Sequence, residues 1–110
     1  MDKNGIREIV TFFKEHLRTS GLPDAKVLIF GSFARGNPGP DSDVDIAILS
    51  QSFEKLDIYE RARMVAPLHV AAVGRFRLPF DIVTFTPAEY EDERSPVAGF
   101  VREAGATYEP

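Results

Sequence analysis

Cysteine is absent from this 110-residue chain, histidine occurs only twice, and no apolar run approaches the length that crosses a bilayer. Disulfides and thiolate metal centres are therefore excluded, while the redox compartment is left open. The N-terminal stretch is amphipathic and contains acids, unlike a secretory leader, so no membrane association and a cytoplasmic location are expected. Basic residues are also in short supply. Thirteen Lys and Arg stand against seventeen Asp and Glu, giving a net charge of −4 and a pI near 5.1. That balance lacks the broad basic footprint of a protein whose affinity comes from the nucleic-acid backbone, so no stable nucleic-acid partner is expected. A single nucleotide stays compatible with it, because a metal ion neutralises phosphate locally. Repeats and low-complexity tracts are missing too.

What is present, at 44% hydrophobic, suits a single domain over residues 1–110 with one real core and no room for a second substrate-binding lobe. Ile6, Ile9, Val10, Phe13 and Leu17 recur at helical spacing after Asp2, and Gly21 and Pro23 follow the stripe, which predicts a first amphipathic helix. Lys26–Phe30 reads as a strand stopped by Gly31, with one helical turn at Phe33-Ala34-Arg35 before Gly36 and a loop at Asn37-Pro38-Gly39-Pro40. Val44–Leu49 reads as a second strand and Phe80–Phe85 as a third. Between them Ile58, Ala62, Val65 and Ala66 predict a crossing helix, broken or kinked at Pro67, whose ring clashes with the carbonyl of Arg63. Pro87 and Pro96 each open a short helix, and Gly105 stops the last one before Ala106-Thr107-Tyr108.

About thirty residues separate the second and third strands, enough for a right-handed helical crossover between parallel neighbours. For Gly31 to meet the starts of those strands, the first strand must run antiparallel to the second. The expected fold is α/β of the α+β type: a small mixed sheet of three to four strands flanked by helices.

The informative chemistry lies in Gly31-Ser32, then ten residues, then Asp43-Val44-Asp45, joined by Asp81 at the head of the third strand. A Gly-Ser turn after an apolar strand offers amides and a hydroxyl to phosphate, and alternating carboxylates hold a hard cation beside it. The strand period of two points Asp43 and Asp45 the same way, with Cα atoms ~6.6 Å apart. Two such charges ~5 Å apart repel by roughly 3 kcal/mol at an effective dielectric near 20, so three acids together call for a cation. Oxygen ligands alone favour Mg²⁺ or Mn²⁺ over Zn²⁺. Catalytic and metal-binding roles fall to Asp43, Asp45 and Asp81. Nucleotide binding falls to Gly31, Ser32, Arg35 and Gly36, with Arg35 a candidate to neutralise leaving pyrophosphate.

Other motifs fail. Gly31 and Gly36 match the outer glycines of a Walker loop, but Asn37 replaces its lysine, and the middle glycine of a dinucleotide fingerprint is missing. Asp41, Asp43 and Asp45 imitate a calcium loop, yet Ile46 stands in place of its glycine and Ser52 in place of its glutamate.

The whole stretch from Gly31 to Asp45 resembles, residue for residue, the motif of the DNA polymerase β-like nucleotidyltransferases, and within them the MNT-type minimal members. The likeness extends to the leading helix, the crossover, Asp81 and a tail bearing Pro96, Arg102, Gly105 and Tyr108. It implies a Mg²⁺-dependent transferase that uses ATP to nucleotidylate a hydroxyl. It also implies a HEPN-domain toxin as partner, neutralised by adenylylation or by binding, in a homo- or hetero-oligomer. A binding-only antitoxin and an aminoglycoside-type transferase are the alternatives.

Plainer roles compete at single positions. Ser32 can cap the following helix, and Arg35 can pair with Asp41. His16 and His69 read as structural, and Glu89, Glu91, Asp92 and Glu93 as a solvated helix face. Phe12, Phe100 and Val101 are candidates to face a partner.

Overall fold

The computed structural model describes residues 3–104; the expectations for Asp2, Gly105 and Tyr108 fall outside them. The first helix, α1 (Lys3–Thr19), buries Ile9, Val10, Phe13 and Leu17, the stripe read from sequence. It closes where the Leu22 amide donates to the Leu17 carbonyl and Gly21 takes φ 90°. Then follow β1 (Lys26–Phe30), α2 (Gly31–Arg35), β2 (Val44–Leu49), a 3₁₀ turn (Gln51–Lys55), α3 (Ile58–Phe76), β3 (Phe80–Phe85), α4 (Pro87–Glu91) and α5 (Pro96–Ala104).

The sheet order is β1-β2-β3, with β1 antiparallel and β3 parallel to the central β2. This is the mixed sheet expected from connection lengths, and α3 is its crossover. Strand alternation divides the apolar side chains between two faces. Val27, Ile29, Val44, Ile46, Ile48 and Phe80 pack toward α1 and α3. Leu28, Phe30, Ala47, Leu49 and Phe85 pack toward Ala98 and Val101 of α5. Asp45 and Asp81 occupy the α5 side, because they are in phase with Ala47 and Val83.

Three local expectations change. The helix α3 runs unbroken through Pro67. Pro67 and Arg63 are both exposed, so the carbonyl that loses its donor faces water rather than the core. Its buried stripe is Val65, Leu68 and Ala72, whereas Ile58, Ala62 and Ala66 are exposed. Val101 is 2% exposed and so is not available to a partner, while Phe12 is half-buried, packing on His16 at 4.2 Å and on Phe76. Both histidines are structural, donating from Nδ1 of His16 to the Phe12 carbonyl and from Nε2 of His69 to the Phe80 carbonyl. Among the described residues no helix is long and apolar enough to cross a membrane.

Candidate active site

The site begins with a glycine whose backbone disfavours any other residue. Gly31 follows directly on β1 with φ 75°, a conformation L side chains rarely adopt, and a Cβ placed on it would run into Oδ2 of Asp45. The backbone approaches the carboxylate this closely because Phe30 and Asp45 are partners in the antiparallel ladder. Any side chain at residue 31 would displace Asp45 or the turn.

Parallel register sets Asp81 beside Asp45 on the adjacent strand, at the usual spacing of about 4.8 Å. Asp43 precedes β2, two residues from Asp45 and in the same phase. Asp43 and Asp81 are exposed and Asp45 is half-buried. The structure thus gathers the three predicted acids at one end of the sheet. Burial foremost, then the charges of Asp81 and Asp43, push the Asp45 carboxyl above its ordinary range, and Arg35 opposes this only in part. Among the described residues no three His, Cys, Asp or Glu side chains are grouped tightly enough to hold an ion.

Ser32 lies inside α2, and the cap position belongs to Phe30, which makes no side-chain capping bond. The expected alternative of Ser32 as cap is therefore absent, and its half-buried hydroxyl stays free for another acceptor or donor. The first amides of α2 have no carbonyl one turn earlier within the helix. Arg35 is exposed and forms no ion pair with Asp41 among the described residues. Gly36 closes α2 in the left-handed conformation, φ 78°, and its amide donates to the Phe33 carbonyl.

Gly31, Ser32, Arg35 and Asp45 form one side of a cavity of about 490 Å³, whose other side is Phe100, Glu103 and Ala104 of α5. This falls in the range of roughly 300–1,000 Å³ common to small-molecule sites. Gly36, Asp43 and Asp81 stand outside that lining. Sequence reasoning missed the α5 side, because nothing local in residues 96–104 says which strand end the helix reaches. A second cleft of about 630 Å³ lies along β3, with Ile58, Ala62, Ala66, Ile82, Thr84 and Val97 in its walls.

Residues 6–97 match the family model for the nucleotidyltransferase domain. The chain belongs to that family. Its fold is similar to the crystal structure of a candidate nucleotidyltransferase from Sulfolobus solfataricus, at 24% identity and a TM-score of 0.52, covering 81% of this chain and 79% of that one. No curated protein sequence matches the chain. A nucleotidyltransferase joins a nucleoside phosphate to an acceptor, and the Gly31–Asp45 end of this sheet carries acids and a hydroxyl without hydrogen-bond partners among the described residues.

Proposed function

We propose that this nucleotidyltransferase moves AMP from ATP, with Mg²⁺, onto a hydroxyl of a partner protein, and that it is the antitoxin of a HEPN-domain toxin. The observation that carries the reading is the approach at Gly31, where a left-handed turn after β1 brings the backbone against the Asp45 carboxylate. The metal fits by donor chemistry. Asp45 and Asp81 are oxygen donors in register, with Asp43 two residues ahead of Asp45, and none receives a hydrogen bond or ion pair from another described residue.

Drawn closer than their present spacing, those three acids would hold the cation, which when bound would offset phosphate charge and acidify the attacking hydroxyl. Ser32 and the amides around Gly31 bind the terminal phosphates, and Arg35 steadies the pyrophosphate. The acceptor oxygen bonds to the α-phosphorus as the α–β bridging P–O bond breaks. Pyrophosphate leaves with that electron pair, and the hydroxyl proton passes toward Asp81. Exposed Ile58 and Val97 in the walls of the second cleft support a protein as acceptor.

The test incubates the chain with ATP labelled at the α-phosphate, Mg²⁺ and a HEPN-domain protein from the neighbouring reading frame. Label on that protein, absent with Asp43→Asn, is the expected result. Equal labelling by Asp43→Asn rejects the catalytic role. Neutralisation of the toxin by an Asp43→Asn, Asp45→Asn double variant points instead to a binding-only antitoxin.

A further inference from the structure

Eight of the nine phenylalanines are buried or half-buried, and Phe100 is 64% exposed. Leaving such a ring in water forfeits about 1.5–3 kcal/mol of burial. Its location is specific. Phe100, Glu103 and Ala104 are spaced i, i+3 and i+4 on α5, so they share one stripe of the helix. That stripe is the wall opposite Gly31, Ser32 and Arg35 in the same cavity. Ala98 and Val101 dock α5 onto the sheet, which fixes where the stripe lies. No other aromatic ring of the described residues stacks on Phe100, in contrast to Phe12, Phe13, Phe76, Phe80 and Phe85.

We propose that Phe100 is the platform on which the nucleobase stacks, across the cavity from the phosphate-binding turn. The inference rests on the nucleotide reading above and extends it to a residue outside the Gly31–Asp45 motif. A phenyl ring recognises a base by its π-face and has no hydrogen-bonding group, so it favours the larger purine face over a pyrimidine without separating adenine from guanine. The phosphates anchor the ligand at one wall, and the ring sets its direction at the other.

The chain contains no tryptophan, so Phe100→Trp installs a single reporter in the cavity. Binding of Mg²⁺–ATP or Mg²⁺–GTP is expected to quench its emission, while inorganic tripolyphosphate with Mg²⁺ is expected to leave it unchanged. By calorimetry, Phe100→Ala should weaken ATP about 5- to 100-fold and leave tripolyphosphate unaffected. Phe100→Tyr should restore ATP affinity, and Val70→Ala, at an exposed position of α3 away from both cavities, should match wild type. Unchanged ATP affinity in Phe100→Ala overturns the proposal, as does an equal loss for ATP and tripolyphosphate, which marks a structural role. Wild type that binds tripolyphosphate as tightly as ATP overturns it while leaving phosphate recognition at Gly31 and Ser32 intact. Wild type that binds neither overturns the nucleotide reading as well.

Discussion

The two ends of the sheet treat their carboxylates in opposite ways. At the end where β2 and β3 finish, Asp24 and Glu89 each have partners. Asp24 accepts from the Gln51 amide and the Ser50 hydroxyl, both at 2.9 Å. Glu89 accepts from the Thr86 amide in a capping box and from Arg61 at 2.7 Å. The Gln51 amide above all holds the Asp24 carboxyl below its ordinary range, and the Arg61 hydrogen bonds do the same for Glu89. At the end where β2 and β3 begin, Asp43, Asp45 and Asp81 stand together without such partners, and Asp45 is pushed the other way. One end is closed by its own hydrogen bonds. The other keeps a half-buried carboxylate beside two more acids with no hydrogen bond to offset them.

The largest effect should come from closing the open end. Gly31→Ala forces a methyl into the Asp45 carboxylate and a strained φ, and should lower nucleotidyl transfer at least 100-fold in a labelled-ATP assay. Asp43→Asn and Asp45→Asn should lose on the order of 10²–10³-fold in the same assay while circular dichroism stays native.

At the closed end, Arg61→Ala should cost about 2 kcal/mol in urea unfolding with nucleotide affinity unchanged. Arg61 also donates to the Phe53 and Leu56 carbonyls, and Phe53 is fully buried, so its carbonyl would lose a partner. A smaller effect follows from pH. Glu89 has a depressed folded pKa, so its contribution is present above the ordinary glutamate value of 4.5 and is lost as pH falls through the lowered value. Stability should therefore decline below about pH 4.5, and Arg61→Met should flatten that decline in acid titrations followed by fluorescence of an added dye. The smallest effect has the opposite sign. Asp45 has a raised pKa, so its charged form works against the native state near neutrality, and metal-free Asp45→Asn should melt slightly above wild type.

Much of the open end was legible in the sequence, because its logic is local. The spacing of Gly31, Asp43 and Asp45 on two strands, with a crossover length that makes β3 parallel, fixes the ladder partners Phe30–Asp45 and Asp45–Asp81. The closed end was less legible. Glu89 read as one of several solvated acids because its partner Arg61 is 28 positions away, and no local period reports that pairing. The same holds for α3, whose expected stripe was Ile58, Ala62, Val65 and Ala66. Longer-range packing keeps Val65 inward but buries Leu68 and Ala72 instead of the other three. The 3₁₀ turn went unread although its cap is visible in hindsight: the Ser50 hydroxyl accepts from the Ser52 amide.

Calorimetric titration of Mn²⁺ together with ATP into wild type and into an Asp45→Asn, Asp81→Asn double variant tests the contrast between the ends most directly. Saturable binding to wild type, weakened at least tenfold in a variant that still unfolds cooperatively, is the predicted result. Equal affinity in the two proteins would contradict it, because the crowded acids would then serve no ligand.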